Sequence, residues 1–574
     1  MKTQGKANRS RLVKRLGVAV SAALLGSTLA ATGSQAASRP DATAPKYGGE
    51  VTILIDGNIA GHCFSNALPG GPLGASRSIY ESLVERTNKG KYVGYLAESF
   101  TTTDNKVWNI KLRPNIKYSN GEAFNAASVK QNIDIGRGAV GFQTYPSTGI
   151  GVNSNILSVD VVDDLNVRVT LERADNDFLG LMYRAGRYVM RAPAQIADRT
   201  TCSTNPIGTG PFMLKSFTST EQVVVKNPNY WRKDGKGRQL PYLDQINFVV
   251  QKEASQRASA VRTGAVDAAF FVQGDATFTN ALKLKKSLVK GYESTQTAWG
   301  QWMPNVNKAG SPFKYQNCRL AAAYSIDWKS YNKVRLRGTG DYSGSIVGKS
   351  HVMYTTKGAP TYNLKKAKAY LAKCNTDLGS AAPMKITLYA DTSGQSQGNT
   401  LFIKKSMEKA GILFNDTFIA ESAVLVSKIY KGGGNDFDFA EGTPAEGGSP
   451  GYVIPFFVSK AFMTGTTNPV AATALGRGYN TVIALGNHTD TKVDDLIYAA
   501  QADTNPKTAK AKWQAATKYI QEQGYAIPSV HGGFKVFVNN KSKLRGIGTL
   551  KMPGGQTADV VETKGFEWTG VWKG

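Results

Sequence analysis

A mixed fold of strands and helices, α/β or α+β in class, is predicted by two observations. Period-two alternation of apolar residues marks the first third of the chain, and helical spacing on Ala-, Leu- and Lys-rich segments marks the later part. The two signals follow no strict alternation. Taken in order, Gly49-Glu-Val-Thr-Ile-Leu-Ile55 reads as a strand with alternating apolar positions. Trp108, Ile110 and Leu112 alternate with polar neighbours in a half-buried strand that Pro114 ends. Ile156 to Val162, the turn Asp163-Asp164, and Val167, Val169 and Leu171 form a hairpin. Helices follow at Cys318 to Asp327 and Leu364 to Lys373. A third begins at Asn505-Pro506, a cap followed by a first-turn proline, and brings Trp513, Ala516 and Ile520 onto one face.

The 574 residues are 41% hydrophobic, 20% charged and 10% aromatic, a globular composition and not a disordered or collagenous one. That length suits about two to four compact units. Seventy Lys and Arg against 42 Asp and Glu give a net charge of +28, which favours acidic ligands or surfaces without setting the fold. Residues 1–36 have the order of an export signal. Lys2, Lys6, Arg9, Arg11, Lys14 and Arg15 come first, then an apolar run from Leu16 to Leu29, then the small-x-small site Ser34-Gln35-Ala36. The apolar run, about 14 residues, is short for a membrane span, which needs about 20. No later segment is apolar enough to span. An exported protein is expected, periplasmic or extracellular. Leu29-Ala30-Ala31-Thr32-Gly33 is similar to a lipoprotein signal with threonine in place of the lipid-accepting cysteine, so no thioether anchor is expected. Residues 37–45 read as a leader.

Catalytic chemistry finds little support. His62, His351, His488 and His531 are the only histidines, and no pair has the spacing of a zinc site. Gly447-Gly448-Ser449-Pro450-Gly451 matches GxSxG, but loop composition precedes it where a nucleophile elbow needs a strand. Gly344 to Ser350 is one residue short of a phosphate loop. Basic residues are scattered, with no nucleic-acid motif. Binding is the expected activity, with no cofactor and no metal. The four cysteines, Cys63, Cys202, Cys318 and Cys374, favour disulfides outside the cell, with three pairings open.

Several ordered strings resemble the family 5 solute-binding proteins of ABC importers, the dipeptide, oligopeptide and nickel binders. Leu96-Ala-Glu-Ser-Phe100 with Trp108 to Phe124 comes first, then Gly208-Thr-Gly-Pro-Phe212 with Lys226-Asn-Pro-Asn-Tyr-Trp231. Pro241 to Phe248, Arg262-Thr-Gly264-Ala-Val-Asp267, Met303-Pro-Asn305, Arg319 to Asp327, Lys365 to Leu371 and Val493 to Pro528 continue the order. The resemblance covers about residue 47 to 574.

It implies two lobes joined by two hinge strands, the first lobe carrying an inserted domain. The implied boundaries are 46–84, 203–296 and 525–574 for the main domain, 85–202 for the inserted one and 297–524 for the second lobe. That layout pairs Cys318 with Cys374 on neighbouring helices, and Cys63 with Cys202. It also implies a monomer that captures a peptide or other small solute by hinge closure and delivers it to ABC permease subunits. In the family's peptide binders an aspartate in a second-lobe loop holds the ligand's amino terminus; here Glu446 stands at that aspartate, Ser449 at the next one and Thr443 at the tryptophan. Glu446 keeps a carboxylate that can pair with an ammonium. Asn58, Phe270, Phe271, Gln273, Trp302 and Tyr452 complete the expected aromatic, mostly uncharged cleft. An oligosaccharide or a nickel chelate would be the next ligand choices on this fold. The readings of another class are an exported hydrolase using Ser449 and a surface adhesin for acidic polymers.

Overall fold

The structure is a computed structural model. It describes residues 44–59, 61–63, 71–137, 155–198, 200–294, 301–306, 308–379, 383–392, 394–420, 424, 437–442, 448–453, 457–458, 490–562 and 564–574. The export signal with Thr32, nearly all of the leader, Thr443 and Glu446 lie outside them. Residues from Pro45 onward form one compact unit.

The first strand, β1 (Glu50–Ile55), covers the segment read as a strand from its alternation. After β2 (Val84–Arg86) and β3 (Tyr92–Gly94), four strands form an antiparallel sheet: β4 (Ala97–Thr101), β5 (Val107–Leu112), β6 (Ile156–Asp163) and β7 (Asn166–Leu171), in the order β4-β5-β7-β6. Trp108, Ile110, Leu112, Val167, Val169 and Leu171 all point into one core, while Leu157, Val161 and Val162 on β6 stay exposed. One face is packed and the other is wet, as the alternation requires.

The chain next builds β8 (Phe212–Phe217), β9 (Glu221–Lys226), β10 (Gln245–Val250), β11 (Ala268–Phe271) and β12 (Val289–Glu293). They join β1 and the late β18 (Lys535–Asn539) in a seven-stranded sheet of order β12-β18-β11-β1-β10-β9-β8. Central β1 runs parallel to both β10 and β11. Its Val51, Ile53 and Ile55 enter one core and its Leu54 the other, so both faces are covered.

A second sheet has the order β15-β14-β16-β13-β17. Its strands are β13 (Gln301–Pro304), β14 (Lys385–Asp391), β15 (Leu413–Ala420), β16 (Phe439–Gly442) and β17 (Ile527–Pro528). The helices Gln316–Ser325 and Leu364–Asp377 pack together beside it, and a disulfide joins their Cys318 and Cys374, with Cα atoms 4.7 Å apart. Helix Pro506–Glu522 is capped by the Asn505 side chain, which accepts from Lys507 N–H, and buries Trp513, Ala516 and Ile520. That face is the one the 3.6-residue period predicts.

The chain passes between the two large sheets twice, from β12 to β13 and from β17 to β18. The crossings are neighbours. β12 pairs antiparallel with β18, β13 with β17, and Ser294 N–H donates to the Phe534 carbonyl at 2.9 Å between them. This is a two-lobed fold with a two-strand hinge, and the four-stranded sheet belongs to the extra module inserted in the first lobe. A second disulfide, Cys63–Cys202, spans that insertion in sequence, its Cα atoms 4.9 Å apart.

The strings at 208–212 and 226–231 share one anchor. Buried Glu81 accepts hydrogen bonds from Thr209 Oγ1 at 2.9 Å, Tyr230 OH at 2.8 Å and Trp231 Nε1 at 2.8 Å. Gly210 N–H donates to the Ile79 carbonyl at 2.9 Å, and a Cβ at Gly208 or Gly210 would run into that carbonyl. Two glycines there let the backbones touch.

Candidate functional site

Parallel strands β1, β10 and β11 finish on one edge of the seven-stranded sheet, and ligands of open α/β sheets bind at such carboxyl ends. Buried Arg257 ties the edge together. Its guanidinium donates to the carbonyls of Phe270 (2.9 Å), Gln251 (2.7 Å) and Lys252 (2.7 Å), and pairs with Asp275 at 2.6 Å. Asp56, just past β1, accepts from Gly71 N–H at 3.2 Å. Desolvation pushes its carboxyl up to about 6, opposed by the Arg257 cation and reinforced by the Asp275 charge. Asn58 follows and is exposed. The edge abuts the hinge: Gln273 Nε2 donates to the Val530 carbonyl at 3.2 Å, and Gly532 packs tightly on the Gln273 side chain.

Three of the expected cleft aromatics lie elsewhere. Phe270 and Phe271 are 1% and 0% exposed, one in each core flanking β11, with rings against Phe534 and Phe537. Trp302 is 1% exposed and stacks on Phe439 at 5.2 Å between centroids, inside the second lobe. All three are core residues, because their strands are covered on both faces. Tyr452 falls in the short helix Pro450–Val453. Gln273 belongs to the hinge contact. Arg257 and Asp56 were not anticipated: nothing in Ala254-Ser-Gln-Arg257-Ala-Ser marks a buried arginine, whose partners come from other turns of the chain.

Ser449 is buried, and its hydroxyl donates to Asp177 Oδ2 of the inserted module, as does Gly451 N–H at 2.8 Å. The GxSxG serine is therefore bonded to a carboxylate and not to an imidazole. The described histidines do not converge. Buried His531 donates from Nε2 to the Ser345 carbonyl at 3.0 Å, His351 Nδ1 accepts from Met353 N–H at 3.1 Å, and His62 packs edge-on against Phe217. Burial lowers His62 to about 3, and His351 and His531 to about 4. Their stabilising neutral forms are fully present above the ordinary value near 6.5 and are lost as pH falls through the depressed values. The assigned imidazole proton resonances of all three are expected to stay flat from pH 8 to about 5.5; a midpoint near 6.5 at any of them contradicts this packing. Among the described residues no group of three or more His, Cys, Asp or Glu could hold a metal.

A groove of about 550 Å³ is lined by Trp231, Arg232, Tyr242, Lys551, Met552 and Trp572 among others. No lining residue comes from the second lobe, so the groove is separate from the hinge edge. No helix among the described residues is long and apolar enough to cross a membrane.

Compared with known proteins, residues 91–463 match the family described as bacterial extracellular solute-binding proteins, family 5 Middle. The nickel-binding periplasmic protein of Escherichia coli is 27% identical over 358 residues, 59% of this chain and 65% of that protein. The glutathione-binding protein GsiB of Shigella dysenteriae is 23% identical over 463 residues, 79% of this chain and 83% of that protein. The periplasmic binding protein DppA of Helicobacter pylori, solved with the peptide STSA, superposes with a TM-score of 0.72 and 19% identity, over 92% of this chain and 98% of that one. These relatives are binding proteins. With the ordered motifs, the two-strand hinge and the matched 91–463 segment, the chain belongs to the bacterial extracellular solute-binding proteins of family 5.

Proposed function

We propose that this chain is the solute-capturing component of an ABC importer, taking a peptide between its lobes by hinge closure and delivering it to membrane permease subunits. The reading rests on the pair of adjacent crossing strands: among the described residues the chain passes between the lobes only there, so the lobes can swing as rigid bodies about one axis. The lobes divide at 46–84, 203–296 and 525–574, at 85–202, and at 297–524. Asn58 and Asp56 face the solute, and Glu446 pairs with its ammonium. The peptide class is supported by the fold shared with the STSA-bound DppA and by the relationship to the glutathione-binding GsiB. No covalent chemistry takes part. The protein works outside the cytoplasm, without a lipid anchor, as a monomer.

A thermal-shift screen of refolded, ligand-free protein tests this with tetrapeptide mixtures, glutathione, an oligosaccharide mixture and the nickel–histidine complex. A ligand at 100 times its dissociation constant adds about 2.7 kcal/mol. A saturable rise with peptides supports the proposal. A rise with only the sugar or the nickel complex replaces the ligand class, and silence in all four arms overturns solute capture.

A further inference from the structure

We propose that the turn Asp175-Asn176-Asp177 of the inserted module is a latch that holds the two lobes in the closed arrangement. The inference rests on the closure reading above, and it assigns the inserted module a role in that motion. Asn176 N–H donates to the Gln501 carbonyl at 3.0 Å, and its Nδ2 to the carbonyls of Ala500 (2.8 Å) and Asp503 (2.9 Å). Gln501 Nε2 answers with a bond to Asp175 Oδ2 at 3.1 Å. Asp177 Oδ2 takes Ser449 Oγ–H and Gly451 N–H. One turn thus grips two separate second-lobe elements, the C-terminal end of helix Thr491–Gln501 and the start of helix Pro450–Val453. The approach depends on missing side chains. A Cβ at Gly451 would enter Leu181, and one at Gly180 would lie 2.7 Å from Ser449 Oγ. None of these bonds is part of either lobe's own core, so each must break when the hinge opens.

Closure of this latch also takes up a proton. Desolvation, with the Asp175 charge, raises the Asp177 carboxyl to about 8 in the latched state, and desolvation raises Asp175 to about 6. Around Asp177 stand Asp175 on its own turn and Tyr92 of β3, with Arg86 and Glu562 behind that ring. Tyr498 and Asp494 come from helix Thr491–Gln501, with Arg173 over the Tyr498 ring, and His351 lies beside Ser449. A proton on Oδ1 leaves Oδ2 free to accept both second-lobe donors. Once open to water the carboxyl returns to its ordinary value near 4. The latched state therefore binds more protons, is fully favoured below that ordinary value, and loosens as pH rises through about 8.

Native-state hydrogen exchange on the ligand-free full chain reads the latch at two amides, Asn176 and Gly451. In the wild type, their protection, corrected for intrinsic exchange, is expected to fall up to tenfold per pH unit between about pH 6 and 8. Asp177→Asn keeps an oxygen acceptor and cannot titrate, so its protection should be flat up to about pH 8 once the Asp175 carboxyl, raised to about 6, has titrated. Asn176→Ala and Gly451→Ala should each lose about tenfold or more at every pH, with β1 and β18 amides unchanged as proof of folding. Gly451→Ala alters no charge or acceptor, which guards against a purely local effect. Wild-type protection independent of pH, or retained in both alanine variants, overturns the latch. The solute screen reads a different quantity, so failure here leaves solute capture standing.

Discussion

Glu81→Gln is expected to cost about 3–5 kcal/mol of stability, the largest loss from any single substitution considered. Glu81 is 3% exposed and its carboxylate accepts from a hydroxyl, a phenol and an indole. Three donors meet a group that only accepts. Glutamine turns one end into a donor, which leaves at least one of Thr209, Tyr230 and Trp231 facing N–H without an acceptor. Burial raises the carboxyl, while the Trp231 and Tyr230 hydrogen bonds and the Arg232 charge oppose the shift. Chemical denaturation of the variant checks this by its midpoint. Tyr230→Phe, which removes the phenol donor to Glu81, should cost about 1–2 kcal/mol and combine non-additively with Glu81→Gln. A loss below 1 kcal/mol for Glu81→Gln would mean that the motifs are held by something other than this carboxylate.

Removing the Cys318–Cys374 disulfide by a double alanine substitution should destabilise the second lobe by about 4 kcal/mol, from the closure entropy of its loop. The cysteines are 56 residues apart, fully buried, and join helices Gln316–Ser325 and Leu364–Asp377. The constraint acts within one lobe. Thermal unfolding of the double variant should therefore split into two transitions, the earlier one carrying the second lobe. Unchanged unfolding relative to the wild type would show that helix packing alone fixes this region. The other bridge closes a longer loop, with 139 residues between its cysteines, and its loss is expected to cost about 5 kcal/mol.

The regular elements were legible because each declares its buried face locally. Trp108, Ile110 and Leu112 alternate into the module core, and Trp513, Ala516 and Ile520 share a helical stripe. Two of the ordered motifs have a physical reason: Gly208, Gly210, Tyr230 and Trp231 all close on Glu81 or the nearby Ile79 carbonyl, so their spacing is constrained together. Glu81 itself carried no signal, since its side-chain partners lie 128 to 150 residues away.

The site was less legible. Ala268-Ala-Phe-Phe271 is an unbroken apolar run, the pattern of a strand covered on both faces, and it buries both phenylalanines where a cleft reading exposed them. Trp302 has no such local signal, because its stacking partner Phe439 comes from β16, far along the chain. Ser449 was singled out for its glycine neighbours, yet what defines its surroundings is Asp177, 272 residues earlier. Contacts of that range are made by the hinge and the inserted module, and no spacing rule reports them.

If two lobes swing about the paired crossing strands and close on a peptide, the molecule contracts on binding. Small-angle X-ray scattering at about pH 8.5, where the Asp177 latch is loosened, compares the refolded, ligand-free chain with and without a saturating tetrapeptide mixture. A radius of gyration that falls on peptide addition, at unchanged mass and with the peptides recovered intact, is the predicted result. An unchanged radius with peptides bound, or peptides returned in pieces, would contradict it.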